Sequence, residues 1–313
     1  MQIIDGPTVD GLMDWPMVVA ALRAGHLRPR PQVGDYYFSG DGNGLLSRTA
    51  WITGLGACVK AATVFPGNAN RKPPLATVQG SVLLLDPENG TTRALIDGAA
   101  LTRWKTAGDS ALGSALLSRP NSRVLTMVGA GNMAEPLIRA HLSVRPSLER
   151  AIIWNRSRPR AEALAARLAD LGRTIEIASS LEAAVRGADV ISAATMSQQP
   201  LIKGAWLKPG THLDLVGAYT PQMREADDDA MRVSRVFVDF RETTIHHIGE
   251  LMIPLGNGTI AETDVVDDLY GLVPGNNGRL SNNDITLFKN GGGAHLDLMT
   301  ALAIAGSAAA ARV

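Results

Sequence analysis

Across 313 residues, 30 lysines and arginines balance 30 aspartates and glutamates, so the formal net charge is zero and gives no electrostatic footprint for nucleic acid or an anionic membrane surface. A hydrophobic fraction of 45% with 4% aromatics suits an Ala/Gly-rich globular α/β chain, long enough for two domains. The single cysteine, Cys58, excludes an intrachain disulfide and argues against a cysteine metal cluster. No segment has the length and apolarity of a membrane span, since the tail LMTALAIAGSAAAARV is too short. The start MQIIDGPTVD lacks the basic and apolar runs of a signal peptide, so the chain is expected in the cytoplasm.

In chain order, a helix is predicted from near Asp14, with Pro16 in its first turn, carrying Val18 and Leu22 to about Gly25. The linker-like run RPRPQVGD follows. Next come strand-like segments, LLSRTAWI, GACVKAATVF, LATVQGSVLLLD and TTRALID, the last two joined by a Pro-Glu-Asn-Gly turn. Short strands without intervening helices read as an antiparallel sheet. A helix over residues 99–118 closes this part.

From Ser122 the pattern alternates: strands VLTMVG, AIIWN, TIEIA, DVISAAT, HLDLVG and RVFVDF, with helical RAEALAARLADLG and LEAAVRGA between several of them. Six such strands predict an α/β fold with a Rossmann doubly wound parallel sheet. The Gly/Asn-rich PGNNGRLSNND then leads to ITLFKNGGGAHLDLMTA and a closing Ala-rich helix.

The strand Val124 to Val128 runs into Gly129-Ala130-Gly131 and a helix beginning near Asn132 and Met133. That is the context in which a glycine fingerprint reads as a dinucleotide site. Gly129 permits the tight turn, Gly131 lets backbone approach a pyrophosphate, and Ala134 takes the helix-packing position. The helix N-terminus offers N–H groups to the phosphates. The next strand ends not in Asp or Glu but in Asn155-Arg156-Ser157, with Arg158 and Arg160 behind. With no carboxylate to repel a 2′-phosphate and a guanidinium suited to grip one, NADPH is expected over NADH. Thr195 and Ser197 after the fourth strand, and Val216 after HLDL, fall at the same sheet edge and complete the predicted cofactor contacts; loop capping is the alternative for the hydroxyls.

Substrate chemistry must come from the first part. Lys60 lies in an apolar strand on the face of Cys58, Ala62 and Val64. Burying it costs several kcal/mol, at order of magnitude, unless an anion meets it. It either holds a substrate carboxylate or exchanges a proton, unless it is an edge-strand lysine reaching solvent. Arg48, on a neighbouring strand, is a similar case. Lys105 is either an i,i+4 partner of Asp109 or a second carboxylate anchor. His246-His247 reads as adjacent residues on a strand, pointing to opposite faces, and no metal is predicted. His295 and Asp297 read as residues capping or lining the approach to the last helix, and Glu225 with the acids after it as a solvated helix start.

The collinear series GACVK with TVFPGN, LTRWKTAGDSALG, VGAGNMA, DVISAAT, KPGTHLDLVGAYTPQMRE and ITLFKNGGGAHLDL resembles the ornithine cyclodeaminase/μ-crystallin family over nearly the whole chain. The resemblance implies a Rossmann domain plus a discontinuous α+β substrate-binding and dimerisation domain made from both termini: residues 1–118 completed by 294–313, and 119–293 for the cofactor. It implies a nicotinamide cofactor, imine or amino-acid substrates and a homodimer. It places Lys60 on the family's substrate lysine, and Lys105 where many members carry a carboxylate-binding arginine. It likens Asn155-Arg156-Ser157 to the NADPH-using members. Cyclodeaminases carry an Asp where this chain has Tyr219 in GAYTPQM. Without that base, ammonia release from ornithine is disfavoured. What remains is reduction of a ready-made cyclic ketimine carboxylate, Δ1-pyrroline-2-carboxylate or Δ1-piperideine-2-carboxylate, to L-proline or L-pipecolate, in a site of two or three cations and no acid. The rivals are an ornithine cyclodeaminase, another amino-acid dehydrogenase, and a low-turnover NADPH- and ligand-binding protein of crystallin type.

Overall fold

The computed structural model describes residues 1–275 and 278–311; Asn276 and Asn277 of the Gly/Asn-rich stretch and the last two residues of the tail lie outside them. The chain divides into two compact units, Met1–Thr106 with Gly293–Val313, and Ala107–Gly292.

In the first unit, β1 (Gln2–Ile4) precedes α1 (Gly6–Leu12) and α2 (Trp15–His26). Asp5 and Asp14 start the two helices by accepting the amides of Thr8 (2.9 Å) and Met17 (2.7 Å), and a proline stands in each first turn. Then come β2 (Gln32–Gly40), β3 (Asn43–Ile52), β4 (Gly56–Val64), β5 (Val78–Leu85), β6 (Thr92–Asp97) and the start of α3 (Gly98–Leu117). The sheet order is β1-β6-β5-β4-β3-β2, antiparallel as predicted except that β1 lies parallel to β6. The linker-like run proves to open β2. This edge strand pairs only with β3 and is largely exposed, so it carries none of the in-out alternation that marks a half-buried strand.

The C-terminal helix (Ala294–Ala310) covers one face of this sheet, over Ala50, Ile52, Cys58, Ala62, Val82, Leu84 and Ile96, and α2 packs on that helix. Gly25 makes the approach of the two helices possible, because a Cβ there would lie 2.3 Å from Met299 Sδ. The opposite face presents Tyr36, Phe38, Leu45 and Trp51 to solvent, on β2 and β3.

The second unit takes the rest of α3, then β7 (Val124–Val128), α4 (Ala134–Val144), β8 (Arg150–Trp154), α5 (Arg158–Arg167), β9 (Thr174–Ile177), α6 (Leu181–Gly187), β10 (Val190–Ala193) and β11 (His212–Leu215). It continues through α7 (Asp228–Val233), β12 (Ser234–Val238), α8 (Arg241–Thr244), α9 (Gly249–Gly256), β13 (Val265–Asp267), α10 (Leu269–Leu272) and β14 (Ile285–Lys289). All strands are parallel, in the order β13-β12-β14-β11-β10-β7-β8-β9. Among the described residues the doubly wound sheet therefore has eight strands, not six. ITLFK, read with the glycines after it, is in fact β14 between β11 and β12, and β13 is too short to show a period. The strand order reverses between β7 and β10, which puts the ligand crevice outside their carboxyl ends.

Beneath that edge, fully buried Asp214 on β11 accepts from Ser110 Oγ on α3 (2.8 Å) and Ser192 Oγ on β10 (2.7 Å) and pairs with His141 Nε2 on α4 (3.1 Å). Burial raises its carboxyl, but His141 and Ser192 more than offset that and hold it below the ordinary carboxylate value. Among the described residues no helix is long and apolar enough to cross a membrane.

Candidate active site

Since every strand of the second unit runs the same way, the segments after β7, β8, β10, β11 and β14 share one edge. Gly129, first residue after β7, has φ +110°, a conformation that side-chain-bearing residues rarely adopt, and a Cβ there would lie 2.7 Å from Ala194 O. Its amide donates to Trp154 O at 2.9 Å, tying the turn to the end of β8. A Cβ on Gly131 would meet nothing within 4 Å, so bare backbone faces open space. Asn132 and Met133 continue the turn, and α4 starts at Ala134, two residues later than expected, with no side chain capping it. A turn only glycine can make, an open approach and an uncapped helix N-terminus fit a dinucleotide pyrophosphate.

After β8, Asn155 Nδ2 donates to Ser157 O at 2.9 Å and shapes the turn. Arg156 is exposed and has no ion pair among the described residues. Arg158 lies 2.9 Å from Glu162 on the same helix, an exposed i,i+4 pair worth only about 0.3–0.5 kcal/mol. Asn155-Arg156-Ser157 follow β8 with no carboxylate among them.

Thr195, Val216 and Ala130 fall on the same edge, the first two on segments anchored by Ala194 N to Val128 O (2.9 Å) and Val216 N to Ala193 O (2.8 Å). Thr195 also bonds Glu225, and here the solvated helix-start reading of the acidic run holds only in part. Asp227 caps α7 through Ala230 N, with Asp228 and Asp229 in its first turn, while Glu225 is fully buried. Glu225 Oε1 accepts from Thr195 N (2.7 Å) and Thr195 Oγ1 (2.8 Å), and its Oε2 accepts from Gly217 N (2.6 Å).

In the first unit the register sets Asp35, Arg48, Lys60 and Val82 side by side on the face under the C-terminal helix. Lys60 is 8% exposed; its Nζ donates to Thr102 Oγ1 (2.7 Å) and Asp297 Oδ1 (3.1 Å). Lys105 Nζ, 3% exposed in residue terms, lies 3.9 Å from the same oxygen, and Arg48 pairs with Asp35 at 2.9 Å. Asp297 therefore neither caps the last helix nor stands at its approach. It lies inside the helix's first turn, where the dipole favours a carboxylate. Gly293 is the cap residue, without a side-chain bond. The expectation of cations and no acid is corrected likewise. Burial would raise the Asp297 carboxyl, but Lys105, Lys60 and Arg48 hold it below the usual value, so it is ionised at neutrality.

Lys60, Lys105 and Arg48 thus gather around Asp297, with Asp35 on Arg48, a cation-rich set that can meet a small carboxylate ligand. Neighbouring groups are inert: burial pushes the Cys58 thiol up and keeps the buried His295 imidazole neutral. His26 lies edge-on to His295, ring centroids 5.7 Å apart. His246 and His247 follow α8 in a turn rather than a strand, and His246 lies 3.2 Å from Glu262. Among the described residues no cluster of metal-ligating side chains occurs.

Comparison with known proteins extends this picture. A model described as "Ornithine cyclodeaminase/mu-crystallin family" matches residues 38–311. A Δ1-pyrroline-2-carboxylate reductase of Paracoccus denitrificans (strain Pd 1222) is 49% identical over 305 residues, covering 97% of this chain and 96% of its own. The ketimine reductase mu-crystallin of Mus musculus is 38% identical over 197 residues, 62% of this chain and 60% of its own. A solved Δ1-pyrroline-2-carboxylate reductase of Thermococcus litoralis, in complex with NADH and L-proline, superposes with a TM-score of 0.92 at 27% identity, covering 100% of this chain and 99% of that one.

Proposed function

Because the chain belongs to the ornithine cyclodeaminase/mu-crystallin family, we propose that it is an oxidoreductase that reduces a cyclic ketimine carboxylate, Δ1-pyrroline-2-carboxylate or Δ1-piperideine-2-carboxylate, with a nicotinamide cofactor. The observation that carries this is the buried group of Lys60, Lys105 and Asp297, with an exposed Tyr219 where deamination would call for a carboxylate.

The substrate's one permanent anion is its carboxylate. Lys60 and Lys105, buried under the C-terminal helix where charge is worth more than in water, and the partly exposed Arg48 present the positive charge that binds it. When bound, the cofactor supplies a hydride. That hydride would add at C2 of the protonated C=N bond, with the π pair passing to nitrogen and no group lost. Asp297 and Thr102 hold the Lys60 ammonium in one place, so the enzyme works by positioning and electrostatics. Of the two buried ammonium groups, Lys60 is the one we assign as proton donor. Tyr219 stands where the cyclodeaminases carry an Asp, which is why we prefer reduction to cyclodeamination.

Gly129, Ala130, Gly131, Asn132 and Met133 cradle the pyrophosphate; Asn155, Arg156, Ser157 and Arg158 face the adenosine ribose; Thr195 and Val216 line the nicotinamide side. We assign NADPH as the preferred form on Arg156 and the absent acid. Arg156→Ala is expected to raise KM for NADPH about tenfold, the worth of a charge-assisted contact, and to leave KM for NADH unchanged. Equal changes with both cofactors would overturn the assignment. Chiral amino-acid analysis of the reaction mixture tests the chemistry: L-proline or L-pipecolate is expected, and an unchanged imine refutes it. The exposed apolar face with Tyr36, Phe38, Leu45 and Trp51 supports a homodimer, which sedimentation of the full chain checks.

A further inference from the structure

Glu225 is fully buried and has no part in the chemistry above, yet it is fastened from several sides. Its amide donates to Glu250 Oε2 on α9 (2.8 Å), and the next amide, of Ala226, to Glu250 Oε1 (3.0 Å). Its carbonyl accepts from Leu201 N (2.8 Å) and Ile202 N (3.0 Å). Its carboxylate then reaches two separate segments of the cofactor edge, Thr195 after β10 and Gly217 after β11. These segments touch: a Cβ on Gly217 would lie 1.9 Å from Thr195 O. Thr195 and its neighbour in turn abut the dinucleotide turn, because a Cβ on Gly129 would lie 2.7 Å from Ala194 O and 3.4 Å from Thr195 Cγ2.

We propose that Glu225 is a positioning residue for the cofactor: its ionised carboxylate joins the segments after β10 and β11 and holds them against the Gly129 turn. This rests on reading the chain as a nicotinamide-dependent reductase. The two backbone amides can only donate, whereas the Thr195 hydroxyl can also accept. A proton on Oε2 opposes Gly217 N–H, and one on Oε1 turned to Thr195 Oγ1 leaves that oxygen a weaker acceptor for Thr195 N, so the ionised form holds the three contacts most tightly.

The surroundings make that proton a neutral-pH event. Burial and the charge of Glu250 push the Glu225 carboxyl up to about 7, against Lys289 at the end of β14 and the Thr195 bonds, which pull it down. Arg224, adjacent in the chain, acts on Glu250, and Asp239 and Asp214 act on Lys289; these are the charged groups around it. The ionised fraction falls about tenfold between pH 8 and pH 6, and cofactor affinity should fall with it.

The test is titration of the full-length protein with NADH, followed by nicotinamide fluorescence from pH 6 to pH 8. NADH is chosen because it lacks the 2′-phosphate, whose own titration near 6 would intrude. Kd for the unaltered protein should rise about tenfold from pH 8 to pH 6. Glu225→Gln, whose amide brings a donor to the same place, should bind at the weak level throughout with no pH slope, while KM for the imine at saturating cofactor stays unchanged. A flat Kd in the unaltered protein, or the unaltered protein's slope retained in Glu225→Gln, overturns the proposal. If that variant does not fold, the slope of the unaltered protein decides alone. No binding of NADH or NADPH at any pH would instead overturn the reductase reading, and this inference with it.

Discussion

Lys60→Met is expected to lower kcat/KM for the cyclic imine by roughly 10³-fold or more, the range for losing a charge that acts on the reacting group. Methionine keeps the length and the packing under the C-terminal helix but removes the ammonium that Thr102 and Asp297 hold. The cofactor turn lies in a different part of the chain, on Gly129 and Gly131, so Kd for NADPH should not change. Steady-state kinetics and a fluorescence titration on the same preparation check both halves. Near-normal turnover would remove Lys60 from the site, and a parallel loss of NADPH binding would mean that the substitution acts on the fold.

Asp297→Ala should cost about 3–5 kcal/mol of stability, because it leaves the Lys60 and Lys105 ammonium groups buried without their shared anion. The pH dependence has a definite sign. The folded carboxyl titrates below its usual value of 3.8, so its stabilising contribution is complete above that value and is lost as pH falls below it. Denaturant unfolding of the variant and the unaltered protein at pH 7 and at pH 3 measures this: the gap should be wide at neutrality and should narrow in acid. A loss at pH 7 below about 1 kcal/mol would show that water reaches the pair and that the site is not dry.

The sequence already shows the parts of the fold that repeat a simple period. Lys60 stands out because a strand of alternating burial leaves a lysine on its apolar face, and the structure puts it there, beside Arg48 on the neighbouring strand. The Gly129 turn is legible because only glycine fits a φ of +110°. The family resemblance, the α/β fold with its doubly wound sheet and the reductase class all agree with the comparisons. What stayed hidden depends on contacts distant in sequence. Asp297 looks like a helix-start acid in GGGAHLDL, and its partner Lys60 lies far back in the chain. The one local signal is that an aspartate in an apolar helical run needs a partner, which does not say which residue that is. Glu225 was masked by the true solvated cap, Asp227, two residues on. The edge strand β2 was missed because exposure on both faces erases its period.

The most direct test follows NADPH oxidation at the nicotinamide absorbance band with Δ1-pyrroline-2-carboxylate and Δ1-piperideine-2-carboxylate offered separately, while L-ornithine is assayed in parallel for released ammonia. Rapid oxidation with an imine and no ammonia from ornithine is the predicted result, and the two rates rank the ring sizes. Ammonia release from ornithine, or tight NADPH binding with no oxidation by either imine, would contradict the account.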